Sequence, residues 1–185
     1  MADPLDDVGV RPAEMADLFP VSRIEKRSFA QPWPYSAFER SLSAPAFLVA
    51  EATGGGDPEG EAGAGPIVGF VVGDAVPNHG RPLAHVKNIA VAPERRNEGI
   101  GTTLLRAALT RLGNVGARTV KLEVRAGNRI ARSLYREFGF EFLRRIPRYY
   151  DDGEAAIVLV RELPIPDSEP PERCSDGGTV PDAFL

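Results

Sequence analysis

The fold is decided by residues 92–101, which read Ala-Pro-Glu-Arg-Arg-Asn-Glu-Gly-Ile-Gly. Leucines and alanines at helical spacing follow as far as Leu112, which predicts an amphipathic helix. Residues 86–91, immediately before, are apolar and β-branched, as in a buried strand. Gly99 and Gly101 carry no side chains, so backbone N–H groups can converge on an anion at the positive end of the helix. This strand–loop–helix unit predicts a phosphate or pyrophosphate site, to which the two arginines add positive charge.

The bulk composition is that of one globular domain. The chain has 185 residues, of which 43% are hydrophobic and 26% charged. Its net charge of −4 leaves no overall excess of positive charge for binding nucleic acid. The single cysteine, Cys174, excludes an internal disulfide and a cysteine-rich metal site, and no metal is expected. No apolar run is long enough to span a membrane and the acidic N-terminus is unlike a signal peptide, so a cytoplasmic protein is predicted.

The order of patterns along the chain predicts a mixed sheet with helices on both faces. Residues 1–163 are expected to form the domain, with a glycine-rich flexible insertion at residues 53–65. Residues 164–185 are rich in proline and acids and are expected to be a disordered tail. Strands are predicted at residues 8–11, 47–52, 66–75, 86–91, 119–124, 141–148 and 154–163. Helices are predicted at residues 17–29, 36–43, 100–112 and 128–138, with Asp17 as the cap of the first.

Two familiar phosphate loops do not fit the glycine loop. No lysine follows Gly101, as a Walker loop requires, and the third glycine of the dinucleotide fingerprint is absent. The loop instead has the pattern R/Q-x-x-G-x-G from Arg96 to Gly101, preceded by Ile-Ala-Val-Ala-Pro at residues 89–93. This pattern resembles the coenzyme A motif of the GCN5-related N-acetyltransferases, abbreviated GNAT. The resemblance implies an α/β (α+β) fold with a mixed, mostly antiparallel seven-stranded sheet and about four helices.

A second block strengthens the resemblance. Residues 122–128 read Leu-Glu-Val-Arg-Ala-Gly-Asn, and residues 133–140 read Ser-Leu-Tyr-Arg-Glu-Phe-Gly-Phe. Both are similar to the RimI-like ribosomal-protein-alanine N-acetyltransferases, as is the first-helix segment with Glu25, Phe29 and Pro-Trp at residues 32–33. Residues 148–155, Arg-Tyr-Tyr-Asp-Asp-Gly-Glu-Ala, resemble the ending of N-terminal acetyltransferases. The resemblance covers residues 8–163.

Acetyl-CoA is therefore the expected acetyl donor. The resemblance implies that backbone groups of one strand hold the pantetheine arm and that the glycine loop holds the pyrophosphate. Asn128 is expected both to cap a helix and to contact the coenzyme. The expected coenzyme-binding residues are Ile89, Ala90, Val91, Arg96, Asn97, Glu98, Gly99, Ile100, Gly101, Thr102 and Asn128. Glu98 is the discordant member, because an acid beside phosphates lowers affinity unless it points away.

Acetyl transfer to an amine needs a base for the amine and an acid for the leaving thiolate. In residues 120–125 apolar and charged side chains alternate, so Glu123 lies on a polar face. Glu123 is the candidate base, the alternative being a surface ion pair with Lys121 or Arg125. Tyr135 is the candidate acid, the alternative being a packed core aromatic. Cys174 lies far from every motif, so direct attack in a ternary complex is expected.

The acceptor is expected to be a protein or peptide N-terminus, such as that of a ribosomal protein. Its α-amino group has a pKa of about 8, against about 10.4 for lysine, and loses its proton more easily. Candidate acceptor-binding residues are Phe29, Trp33, Tyr35, His85, Tyr149 and Tyr150, although each aromatic alone also fits plain packing. A structural role for His85 is equally open.

Two other functions remain as alternatives. One is acetyl transfer to a small-molecule amine or a lysine side chain. A slot closed by Tyr149 and Tyr150 disfavours bulky small molecules but does not exclude them. The other is a non-catalytic module that only binds acetyl-CoA, and the presence of both Glu123 and Tyr135 argues against it. A monomer or weak dimer is expected.

Overall fold

A computed structural model describes residues 7–53, 65–77 and 82–164. The predicted flexible insertion, apart from its ends, lies outside these residues, as do Cys174 and the predicted tail after residue 164. The helices are α1 (Leu18–Ser28), α2 (Tyr35–Ser41), α3 (Ile100–Asn114) and α4 (Arg129–Glu137). The strands are β1 (Val8–Pro12), β2 (Ala46–Ala52), β3 (Ile67–Val76), β4 (Leu83–Val91), β5 (Thr119–Arg125), β6 (Glu141–Ile146) and β7 (Ala156–Glu162).

The seven strands form one sheet in the order β1-β2-β3-β4-β5-β7-β6. Strands β4 and β5 are parallel, and the other neighbouring pairs are antiparallel. The crossover that parallel strands require is α3. The predicted mixed, mostly antiparallel seven-stranded sheet with four helices is confirmed.

Strands β4 and β5 part in the middle of the sheet. Their ladder ends at the Val86–Leu122 pair, although β4 continues to Val91 and β5 to Arg125. A bulge in the β3–β4 pairing changes the face of the sheet to which successive side chains of β4 point, since Val72 pairs with Asn88 and Gly73 with Val86. The sheet is therefore open at its centre, on the edge of β4 that faces β5.

Apolar cores lie on both faces of the sheet. On one face, α3 buries Leu104, Leu105 and Leu112 completely against the strands. The helix lies so close to β3 that a Cβ on Gly69 would meet Leu104 Cδ1 at 3.0 Å. On the other face, α1 and α2 contribute Leu18 and Phe38 to a second cluster. This close packing fixes the N-terminus of α3 at the open centre of the sheet.

Several boundaries differ from those predicted. The carboxylate of Asp17 does not cap α1, because it accepts hydrogen bonds from Arg11 and from the Glu14 N–H instead. Strand β6 ends at Ile146 rather than residue 148, since Arg148 has a φ of 50°, which a strand does not tolerate. Helix α3 continues two residues beyond Leu112, to Asn114. None of the helices in the described part of the chain is long and apolar enough to cross a membrane.

Candidate active site

The N-terminus of α3 is built to accept an anion. Gly99 occupies the N-cap position with a φ of 81° and, having no side chain, cannot cap the helix itself. The first helical hydrogen bond runs from the Thr103 N–H to the Gly99 carbonyl at 3.0 Å. The N–H groups of Ile100, Gly101 and Thr102 therefore have no acceptor within the helix. They point, with the positive end of the helix dipole, into the loop before it.

The negative charge of Glu98 is paired with an arginine of the same loop. Arg95 Nε donates to Glu98 Oε2 at 2.7 Å, so the discordant carboxylate is held by its own neighbour. Arg96 donates to the Val91 carbonyl at 3.3 Å and to Ser28 Oγ at 3.2 Å, which ties the loop to β4 and α1. Asn97, with a φ of 65°, completes the reversal of the chain. The loop is thus held to both β4 and α1.

The end of β4 offers a backbone edge beside this loop. Ile89, Ala90 and Val91 pair with Val71, Phe70 and Gly69 of β3 on one side. Their other edge lies beyond the last β4–β5 pair. An extended amide-bearing chain can add to such an edge as a strand does. This edge and the α3 N-terminus fit the pantetheine and pyrophosphate of coenzyme A, while the side chain of Ile100 is buried and offers only its backbone.

Asn128 makes the helix cap predicted for it. Its Oδ1 accepts the Ala131 N–H at 3.0 Å, at the start of α4. The contact expected between Asn128 and the coenzyme stays a prediction.

Glu123 and His85 meet across the two parting strands. His85 Nε2 and Glu123 Oε2 are 2.5 Å apart, and Lys121 Nζ lies 3.1 Å from Glu123 Oε1. The hydrogen bond from His85 is the main reason why the pKa of Glu123 falls to about 2, with Lys121 contributing and burial opposing. The surface pairing with Lys121 weighed in the sequence is present, but the stronger partner is the histidine.

Tyr135 approaches from the opposite face of the sheet. Its side chain is buried in the α3-side core, with its ring 5.8 Å from that of Phe140. Burial raises the pKa of Tyr135 to about 12, and the nearby Tyr150 adds to the rise. A phenol in this environment stays protonated and is a proton donor at neutral pH. The packing alternative is therefore present in the structure, and the role of proton donor stays a prediction.

Arg125 organises the loop between β6 and β7. Its guanidinium lies 3.9 Å from the ring centroid of Tyr150 and donates to Asp152 at 2.7 Å and Glu154 at 2.8 Å. Glu154 Oε1 also accepts the Gly127 N–H at 2.7 Å. Tyr149 stands edge-on to Tyr150, with ring centroids 5.0 Å apart. The two tyrosines are therefore held by a charged network that begins on β5.

The loop between α1 and α2 is held by a buried carboxylate. Glu25, 1% exposed, accepts hydrogen bonds from the Trp33 N–H at 2.9 Å and from Asn88 Nδ2 at 3.0 Å. Burial raises the pKa of Glu25, which the two donors oppose. The Trp33 ring packs on Phe38, with centroids 5.6 Å apart, so it is at least partly a core residue. Phe29 and Tyr35 flank this loop with exposed side chains.

Sequence patterns alone did not single out four residues that shape the site. They are Gln31, Asn88 and Arg125, which contact other elements, and Glu25, which entered only as part of a resemblance. Glu25 had a usable signal, since it lies on the apolar stripe of α1 beside Val21 and Ile24. The other three had none, because their partners are far away in the chain.

Known proteins of one family resemble this chain over most of its length. Residues 14–140 match the model of the acetyltransferase (GNAT) family. The chain belongs to the GNAT family. It is 32% identical over 158 residues to an uncharacterized N-acetyltransferase of Methanocaldococcus jannaschii, covering 84% of this chain and 92% of that protein. It is also 32% identical over 155 residues to the Escherichia coli [ribosomal protein bS18]-alanine N-acetyltransferase, covering 82% and 94%.

Solved structures of GNAT proteins share the fold. Ard1 from Thermoplasma volcanium superposes with a TM-score of 0.73 at 26% identity, over 85% of this chain and 98% of that one. The Escherichia coli ribosomal-protein-S18-alanine N-acetyltransferase gives 0.68 at 29% identity, over 84% and 93%. The family is thus that of N-acetyltransferases, with ribosomal-protein-alanine and N-alpha-acetyltransferases among the relatives.

Proposed function

We propose that this protein transfers the acetyl group of acetyl-CoA to the N-terminal α-amino group of a protein. The observation that carries the proposal is a hydrogen bond that joins the two loops bearing the candidate acceptor aromatics. Gln31 of the α1–α2 loop donates to Asp151 Oδ2 of the β6–β7 loop at 2.8 Å. Burial is the main reason why the pKa of Tyr150 of the second loop is raised, and the nearby Glu123 carboxylate adds to the rise. A site bounded by two joined aromatic loops beside a base suits an extended peptide end better than a bulky small molecule.

The relatives support the same acceptor. The Escherichia coli relative is named for the alanine of a ribosomal protein, and others at 32–33% identity are named N-alpha-acetyltransferases. We propose a ribosomal or general protein N-terminus in the cytoplasm as the substrate, acted on by a monomer or weak dimer. Transfer to a lysine or a small amine is the second candidate, since other GNAT acceptors would meet the same base.

The residues that would hold acetyl-CoA are those of the open centre of the sheet. Backbone groups of Ile89–Val91 would receive the pantetheine, and the N–H groups of residues 100–102 the pyrophosphate. When bound there, the coenzyme supplies a thioester carbonyl that an amine can attack. The chain then has two tasks, which are to remove a proton at the Glu123–His85 pair and to return one from the Tyr135 hydroxyl. No acetyl-enzyme is required.

The test is intact-mass analysis of a peptide library after incubation with acetyl-CoA. Each peptide is offered in three forms: with a free N-terminus, with a blocked N-terminus and a free lysine, and with both blocked. Free small amines form a separate arm. Acetylation of only the free N-termini supports the proposal, whereas acetylation of only lysines or small amines overturns it. Acetyl-CoA binding without turnover of any amine would favour the non-catalytic module.

A further inference from the structure

We propose that a cavity beside α2 is a subsite for the acceptor peptide and takes the carboxylate of an aspartate or glutamate at the second or third residue of that peptide. The inference deepens the proposed function and rests on it, because it names the class of N-terminus that is accepted. An acid close behind the reacting amino group is favoured there, and a base is disfavoured.

The cavity has a volume of about 460 Å³ and lies between α2 and the sheet. Trp33 of the α1–α2 loop forms one wall, and Arg40 of α2 and Ser43 just after it form another. Asp74 of β3 and Lys87 of β4 line it from the sheet. Sites for small ligands have volumes of about 300–1,000 Å³, so this cavity has room for an amino-acid side chain.

The cavity is next to the place where the acceptor amine is expected. Asp74 is opposite His85 in the β3–β4 ladder, and His85 Nε2 lies 2.5 Å from Glu123 Oε2 of β5. Neighbouring strands are about 4.8 Å apart, so β3 and β5 are separated by about 10 Å, and an extended peptide advances about 3.3 Å per residue. A peptide whose amino group meets Glu123 therefore reaches the cavity with the side chain of its second or third residue.

The aromatic wall of the cavity is held in place by the fold. The Trp33 N–H donates to Glu25 Oε1 at 2.9 Å, and the Trp33 ring packs on Phe38 with centroids 5.6 Å apart. Both partners are buried. Binding of a peptide side chain there does not have to order this wall, which lowers the entropic cost of binding.

The polar groups of the cavity are mainly hydrogen-bond donors. Asp74 Oδ1 accepts the Ala75 N–H at 2.8 Å and Oδ2 accepts from Lys87 Nζ at 2.9 Å, so both oxygens of this acid are engaged. An ammonium has three donors, of which Asp74 takes one, and a guanidinium has five. Arg40 belongs to none of the ion pairs among the described residues. The cavity thus offers free donors to an incoming carboxylate.

The charges of the cavity agree with its donors. Arg40 and Lys87 contribute two positive charges and Asp74 one negative charge, which leaves one net positive charge. The hydrogen bond from Lys87 lowers the pKa of Asp74, so the acid is ionised at neutral pH and this sum holds. A carboxylate is attracted by the net charge and fits the planar guanidinium with both oxygens, whereas an ammonium is repelled.

Turnover is tested with peptides that differ only at the second or third residue. Glutamate is compared with glutamine and with lysine at each position, and ratios of kcat/KM are taken within each variant so that changes in overall activity cancel. In the wild type, glutamate is expected to exceed glutamine about 3–10-fold, and lysine about 10-fold or more, at one of the two positions. No preference for glutamate at either position would overturn the inference.

Charge variants show whether the cavity causes the preference. Arg40→Gln is expected to bring the ratio of glutamate to lysine to within about twofold of one, because the net charge of the cavity becomes zero. Arg40→Gln combined with Lys87→Gln leaves only Asp74 charged, so the preference should pass to lysine. Arg111→Gln removes an exposed cation from the last turn of α3 and is the matched control. A glutamate preference that survives the double substitution, or that the control reduces equally, would overturn the inference.

A binding measurement needs no turnover. Trp33 is the only tryptophan of the chain, so tryptophan fluorescence reports on this cavity. The same peptides, made without tyrosine or tryptophan, are titrated into the protein with coenzyme A, which has no acetyl group to transfer. The glutamate peptide is expected to bind about 3–10-fold tighter than the glutamine peptide and to change the emission of Trp33, with a smaller difference at about 0.5 M salt. Equal affinities for the three peptides would overturn the inference.

The two proposals fail separately. If peptide N-termini are acetylated equally whatever their second and third residues, the proposed function stands and the subsite is wrong. If no peptide N-terminus is acetylated, the proposed function is wrong, and the fluorescence titration still decides whether the cavity binds a carboxylate.

Discussion

Gln31 and Asp151, which are 120 positions apart in the chain, are joined by a 2.8 Å hydrogen bond from the Gln31 side-chain amide to the carboxylate. The bond links the α1–α2 loop to the β6–β7 loop, the two loops that carry the candidate acceptor aromatics. Asp151 is followed by Asp152, which belongs to the Arg125 network. The two loops are therefore joined to each other and to β5.

Gln31→Ala is expected to raise the KM for a peptide about 2–10-fold and to leave kcat within about twofold. The reason is that an exposed, charge-assisted hydrogen bond contributes about 0.5–1.5 kcal/mol, and this one orders the slot rather than the reacting groups. Steady-state kinetics of Gln31→Ala, Asp151→Ala and the double variant would measure it. Effects that simply add would show that the two side chains are not coupled.

Arg125→Lys is expected to raise the KM for a peptide about 10-fold. Lysine keeps the charge but loses the planar group that stacks on Tyr150 and bridges Asp152 and Glu154. Arg145→Lys on the exposed strand β6 is the matched control and should behave as the wild type. Equal effects of the two substitutions on KM would refute the role given to Arg125.

Gly99→Ala is expected to weaken acetyl-CoA binding and to lower the free energy of unfolding by about 1–2 kcal/mol, because Gly99 has a φ of 81°. Gly101→Ala is the comparison for stability. A Cβ there would meet Val91 at 3.8 Å and Leu134 at 3.9 Å, which are ordinary contacts. Calorimetric titration with acetyl-CoA and urea unfolding measure the two effects, and equal stability of both variants would contradict this account.

Tyr135→Phe is expected to lower kcat about 100-fold while the fold and acetyl-CoA affinity are kept, since the ring still packs on Phe140. The pKa of Tyr135 is about 12, so the donor stays protonated throughout the working range. Wild-type kcat should accordingly show no basic limb from this group up to about pH 10. Full kcat in the variant would leave Tyr135 a packing residue only.

Glu25→Gln is expected to change how stability depends on pH. Burial raises the pKa of Glu25 above its ordinary value of 4.5, so the native state holds this proton more tightly than the unfolded chain does. The contribution is complete below pH 4.5 and is lost as pH rises through the raised pKa. Urea unfolding from pH 4 to 8 should therefore show a decline in the wild type that Glu25→Gln lacks. Parallel curves would contradict the burial argument.

Local patterns predicted much of this protein. The strand–loop–helix unit at residues 86–112 and the type of each predicted helix and strand follow from short-range periodicity and from glycines at fixed spacing, whereas the acetyltransferase family follows from the resemblance of two motifs to known proteins. Such patterns work because helix and strand periods, and the conformation of Gly99, depend on neighbouring residues. The same resemblance proposed Glu123 and Tyr135, which the fold places on opposite faces of the sheet.

Only the tertiary structure decided what these residues contact. His85 and Glu123 are 38 positions apart in the chain. They meet because β4 and β5 pair in a parallel register, which the packing of α3 sets. The bulge at Gly73 turns Asn88 towards Glu25, and no local preference encodes that change of face. The sequence by itself thus determined the elements and the coenzyme motif. Long-range packing decided the partners of Glu123, the contacts of the buried Glu25 and the hydrogen bond between the two loops, because contacts between distant residues leave no periodic pattern in the sequence.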